Sequence, residues 1–247
     1  MSDRSTFRDV VIVGGGCYGT FYAGQLLRAR MRGAATWERL LVVDREPACR
    51  AASELGGSGV EVMVSEWGAF FDEYLGAAPP APAPDAIVPS PLMPHLMFEW
   101  LLRRAERRWP DRAVLRRSAG LASGTPYDEL HADGTRYVSF ADWLCPVHCV
   151  EPATCPVTRG PRTWEMSDAL AELTERLGRQ GAVSGPVLFV CRHRAYGVGM
   201  FDVAEVLAGD AAVAAAGASG SEVDVLVGTV SSCHGAVSLL HLGAQPV

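Results

Sequence analysis

Val10-Val-Ile-Val-Gly-Gly-Gly-Cys-Tyr-Gly19 is the stretch on which the fold turns. Val10 to Val13 is an unbroken β-branched run, as expected of a strand covered on both faces, and it runs directly into glycines. The spacing Gly14-x-Gly16-x-x-Gly19 separates three tasks. Gly14 makes a tight turn, Gly16 lets backbone approach a phosphate, and Gly19 lets the next helix pack close to the strand. Phosphates would sit on free N–H groups at that helix's N-terminus, where the helix dipole favours negative charge. Gly15, Cys17 and Tyr18 complete the loop, with Cys17 expected to fill space beneath the bound group. Phe21, Ala23, Leu26 and Leu27 then suit a helix lying on a sheet.

A second apolar run, Leu40 to Val43, ends in Asp44. An acid at the end of the second strand is where adenosine ribose hydroxyls would be held. Through Gly14, Gly16, Gly19, Ala23 and Asp44 the first 45 or so residues resemble the Rossmann-type NAD(P)- or FAD-binding superfamily. That resemblance implies a dinucleotide, with NAD(P) favoured over FAD because one such unit in a short chain leaves limited room to cover a flavin. The loop from Met31 to Glu38 makes the interval to the acid longer than the usual ~20 residues. Arg45 beside Asp44 keeps a 2′-phosphate, and so NADP, in view.

The chain has 247 residues, 49% hydrophobic and 20% charged, an ordinary composition for a globular protein with a real core. A formal charge of −6 argues against nucleic acid as a general partner. The arginines between 103 and 117 recur around Leu101, Leu102, Ala105 and Trp109 and read as a solvated helix face. No apolar run reaches the ~18 residues of a membrane span, and no secretory h-region precedes the first strand, so a cytoplasmic protein is expected. In a reducing compartment seven cysteines read as metal ligands or reactive thiols rather than disulfides.

The pattern predicts a single domain over residues 1–247: an α/β, doubly wound, mostly parallel Rossmann-like sheet with a cysteine- and proline-rich insertion. Residues 8–64 form its βαβ unit, with a second helix near Pro47–Leu55 and a third strand at Val60–Val64. Residues 76–94, crowded with prolines, read as a surface loop. A helix follows from Pro94 to Arg108, another from Ser167 to Leu177 on the stripe Leu170, Leu173, Leu177, and a third around Met200–Ala215. Residues 186–247 supply the rest of the sheet: Val187–Cys191 as a buried parallel strand, then Val223–Val230 and Ala236–Leu242 on either side of Ser231–Gly235.

Within the insertion, residues 140–163, Cys145-Pro-Val-His148-Cys149-Val-Glu151-Pro-Ala-Thr-Cys155-Pro gathers three thiols and an imidazole in a proline-stiffened loop. Thiolates select zinc or iron–sulfur clusters over hard cations. Cys145, Cys149 and Cys155 would hold three corners, and the fourth falls to His148, Cys191, Cys233 or an exogenous ligand. The spacing is none of the common ferredoxin or zinc-finger patterns. A neighbouring dinucleotide gives a cluster an electron-transfer purpose, which places it slightly ahead of zinc. After Cys191, Arg192-His193-Arg194 offer an acid/base imidazole and anion clamps, in His193 and Arg192 first. His95 reads as structural.

Three functions follow. The leading one is a redox protein with a dinucleotide and a cysteine-ligated metal or cluster, acting on a small molecule or a redox partner. The second is an NAD(H)-sensing regulatory module with structural zinc and no turnover. The third is a biosynthetic enzyme handling an anionic substrate through Arg192, His193 and Arg194. The Trp100/Trp109 helix offers surface for a homo-oligomer.

Overall fold

The computed structural model describes residues 4–77, 83–146 and 149–246. In chain order these form β1 (Ser5–Val13), α1 (Cys17–Met31), β2 (Ala35–Asp44), α2 (Arg50–Leu55), β3 (Val60–Val64), α3 (Trp67–Gly76), β4 (Ala86–Val88) and α4 (Leu96–Arg108). There follow β5 (Val114–Arg117), β6 (Tyr127–Leu130), β7 (Arg136–Ser139), α5 (Met166–Gly178), β8 (Val183–Val190), β9 (Arg192–Ala195) and β10 (Val198–Asp202). The chain closes with α6 (Val203–Gly217), β11 (Val223–Val230) and β12 (His234–Leu242). Two compact units result, one from Met1–Pro94 with Cys191–Ala204, the other from His95–Val190 with Glu205–Val247.

The expected single, mostly parallel doubly wound sheet is corrected: there are two mixed sheets. In the first unit the order is β3-β2-β1-β4-β10-β9. Strands β1 to β4 are parallel neighbours, but β10 runs antiparallel to β4 and β9 antiparallel to β10. The second unit has the order β6-β7-β12-β11-β8, with β5 also pairing β12, and its only parallel contact among the described strands is β11 with β8.

The physical cause lies in the turns. Tyr196 and Gly197 both have positive φ, 49° and 78°, so β9 folds straight back on β10 as a hairpin and no crossover helix intervenes. Met200, expected in a helix, therefore lies in β10; of the expected strand Val187–Cys191, Val187–Val190 falls in β8 of the other unit's sheet, and Cys191 belongs to the first unit. The proline-rich stretch 76–94 likewise contains β4, because the apolar triplet Ala86-Ile87-Val88 pairs with Val10, Val11 and Ile12. Its residues 78–82 lie outside the described ones.

Each unit has its own core. Val10, Ile12, Leu40 and Val42 pack with Ala23 and Leu26 of α1 in the first. In the second, the α5 stripe Leu170, Leu173 and Leu177 covers Leu226, Val230, Val237 and Leu239, each buried leucine contributing about 2 kcal/mol. The arginines of the 103–117 stretch are partnered rather than merely solvated. Arg104 and Arg108 pair with Asp210 at 3.1 and 2.9 Å. Buried Arg112 donates to the carbonyls of Gly243, Gly217 and Ser221.

His95 is fully buried, stacked on Phe98 at 4.9 Å, with Nδ1 3.4 Å from Thr229 Oγ1. Burial, reinforced by the charge of Arg116, lowers its pKa to about 3. The unfolded chain takes up this proton near the ordinary histidine value of about 6.5. Between those limits the unfolded state therefore holds more protons, and stability falls as pH drops, by up to about 1.4 kcal/mol per pH unit. Denaturant titrations from pH 6.5 to 4 should show that slope, and His95→Gln should flatten it. An equal slope in the variant would mean another group is responsible.

Candidate functional site

In the first unit, the turn after β1 is shaped by backbone proximity. Gly14 has φ +86°, and a β-carbon on Gly19 would lie 1.7 Å from the Gly14 carbonyl oxygen. Helix α1 can sit this close to the strand only because Gly19 has no side chain. The Gly14 N–H donates to Val43 O (2.9 Å) and the Ala51 N–H to Gly15 O (2.8 Å). The N-cap is Gly16, no side chain caps the first turn, and no acid lies in it. Its leading N–H groups therefore have no intrahelical partner, and a β-carbon on Gly16 would meet nothing within 4 Å. The turn can accept an anion.

The residues around the turn have roles the sequence did not separate. Asp44 braces the turn: Oδ2 accepts from the Gly15 N–H (2.6 Å) and Oδ1 from the Glu46 N–H (2.9 Å). Each carboxylate oxygen keeps a second lone pair for a hydroxyl. Cys17 is exposed rather than buried beneath the turn. The thiol that underlies it is Cys49, whose Sγ would be 2.4 Å from a Gly15 β-carbon. Arg50, missed in the sequence, extends Nη1 to 3.6 Å from Cys17 Sγ while its Nε pairs with Glu54 Oε1 at 2.6 Å, and Arg45 is exposed.

In the second unit, Cys145, Cys149, Cys155 and Cys233 line one cavity, together with Trp143 and Trp164. Prolines and back-bonds set the loop: the Cys149 N–H donates to Pro146 O and the Cys155 N–H to Gly160 O, both 2.9 Å. Glu151 adopts φ 50° and its carboxylate ties the loop to the β11–β12 turn, accepting from Ser231 Oγ (2.6 Å) and the Ser232 N–H (2.8 Å). That tie holds Cys233 opposite the other three. The pairing of β11 with β12 makes residues 231–233 a hairpin turn, so a thiol about 80 residues downstream reaches the same space.

The electrostatics reflect this crowding. Burial, then the neighbouring Cys149 and Cys155, push the Cys145 thiol up, and burial raises Cys233 to about 11. The backbone N–H and hydroxyl of Thr158 hold Cys155 below the ordinary thiol value. Burial lowers the His234 imidazole; its Nδ1 lies 2.9 Å from Ser139 Oγ. A side-chain hydrogen bond from Trp143 acts against that rise at Cys145. Among the described residues no three His, Cys, Asp or Glu side chains are grouped about a single metal ion.

His148 lies outside the described residues, and Cys191 belongs to the first unit. Arg192, His193 and Arg194 lie in β9 of that unit. His193 bonds through Nδ1 to Gly197 O at 2.8 Å, and Arg194 forms a two-pronged ion pair with Asp202. No helix among the described residues is long and apolar enough to cross a membrane.

A family model named AF_1314_C, described as "Uncharacterized protein, C-terminal domain", matches residues 97–243. The chain belongs to this family. The AF_1314_C segment contains Cys145, Cys149, Cys155 and Cys233, along with Trp143 and Trp164, whereas the Gly14–Gly19 turn lies before it. No curated protein and no solved structure matches the chain.

Proposed function

We propose that this chain is a redox protein that binds a dinucleotide, NAD(P), at the Gly14–Gly19 turn and an iron–sulfur cluster on Cys145, Cys149, Cys155 and Cys233. The observation that carries it is the gathering of four thiols around one cavity. A four-iron, four-sulfur cluster takes one thiolate at each iron, and four cysteines line this cavity. Zinc would take the same donors; a dinucleotide on the same chain, which gives a cluster an electron-transfer purpose, favours iron and sulfide. The Trp143 and Trp164 indoles beside Cys145 and Cys233 fit the same group, since an indole N–H donates to a thiolate. The dinucleotide part rests on uncapped amides and the open approach at Gly16. When bound, the nucleotide supplies two electrons as hydride and the cluster moves electrons singly.

Anaerobic purification with iron, sulfide and zinc analysis, followed by titration with NADH, NADPH and FAD, tests both parts. Iron with matching sulfide, and saturable binding of a nicotinamide nucleotide, would support them. Stoichiometric zinc, nucleotide binding and no turnover would favour the sensor instead. Metal-free protein indifferent to every nucleotide would overturn the proposal. Gly16→Ala gives a finer check. Its φ of −74° suits alanine and the space is open, so the stability cost should stay under about 1 kcal/mol. The added methyl group occupies the phosphate approach, and nucleotide affinity should fall roughly tenfold or more. Unchanged affinity by calorimetry would remove the turn from the site.

A further inference from the structure

Cys233 differs from the other three thiols in origin. Cys145, Cys149 and Cys155 come from one loop, whereas Cys233 comes from the β11–β12 turn and has the indole Nε1 of Trp164 3.3 Å from its Sγ. An indole N–H can only donate, so the sulfur is the acceptor. The ring is held by its surroundings. It stacks on Phe140 at 5.8 Å, meets Trp143 edge-on at 6.5 Å, and its backbone carbonyl accepts from Arg162 at 2.9 Å.

We propose that Trp164 is a positioning residue that sets the reduction potential of the cluster through its N–H···S bond to Cys233, an inference that rests on the cluster reading above. One-electron reduction adds negative charge to the cluster and its thiolates. A hydrogen bond to a ligating sulfur draws density away from the iron and stabilises the reduced form, raising the potential. A donor already aimed at the sulfur needs little reorganisation when the charge arrives. The second indole in the wall, Trp143, hydrogen-bonds Cys145. The cavity is therefore edged by two donors facing a place where sulfur would carry charge.

The test is anaerobic titration with dithionite and mediators of iron- and sulfide-reconstituted full-length chain, followed by electron paramagnetic resonance. Trp164→Phe keeps an aromatic ring against Phe140 and removes the donor. It should retain iron and sulfide while its midpoint moves to a more negative potential. Incorporating benzothienylalanine at position 164, which replaces the indole N–H by sulfur at nearly the same shape, should move it in the same direction. This second variant decides the matter if the phenylalanine protein folds poorly. A cluster of normal content whose midpoint moves in neither variant overturns this inference alone. Wild-type chain that takes up no iron overturns it together with the cluster reading.

Discussion

The double variant Cys149→Ala/Cys233→Ala, reconstituted anaerobically with iron and sulfide, is expected to lose nearly all bound iron and its visible charge-transfer absorption. Cys191→Ala should keep both. Each of the two removed thiols comes from a different segment, so the remaining pair, Cys145 and Cys155, lies in one loop with nothing opposite. A cluster bound through two thiolates leaves two irons open to solvent and exchange. The comparison is decisive because all three substituted residues are cysteines, and Cys191 sits in the other unit. Circular dichroism and melting of the apoproteins separate loss of ligand from loss of fold, since Cys149 and Cys233 are only partly buried. Iron content equal to wild type in the double variant would end the assignment.

Gly19→Val should be the most destabilising single change in the first unit. The new β-carbon would sit 1.7 Å from the Gly14 carbonyl oxygen, and that obstacle is backbone which cannot rotate aside. Overpacking costs typically 1–3 kcal/mol when side chains can adjust; here α1 must move off β1, so a loss of at least about 3 kcal/mol is expected. The displaced helix would also take its uncapped amides out of register with the turn. Gly24→Ala on the same helix is the control. Its β-carbon would meet only an Arg28 guanidinium nitrogen at 3.9 Å, and alanine should stabilise the helix by about 0.5–1 kcal/mol. Chemical denaturation of the three proteins measures both effects, and a Gly19→Val chain as stable as wild type would contradict the packing described.

The tight turn after β1, the helix that follows it and the leucine stripe of α5 were legible from residue types, because each depends on neighbours within a few positions. So was the concentration of thiols between 145 and 155. Local sequence could not assign the fourth ligand among His148, Cys191, Cys233 and an exogenous group. That choice depends on the β11–β12 hairpin and on Glu151 reaching Ser231 and Ser232, contacts made across about 80 residues. The same limit explains Cys17 and Cys49: helix geometry turns the first outward, while the fold of residues 46–51 brings the second under Gly15.

By itself, the sequence determined a strand entering a glycine turn, the periodic faces of the long helices, and a supply of soft donors in a stiff loop. Tertiary structure alone decided strand direction, the division into two sheets, and which sulfur and which indole face one another. Hydrophobic periodicity reports which side of an element is buried but not which element covers it. Hydrogen-bonded pairing between distant strands, and the turns that reverse them, supply that missing information.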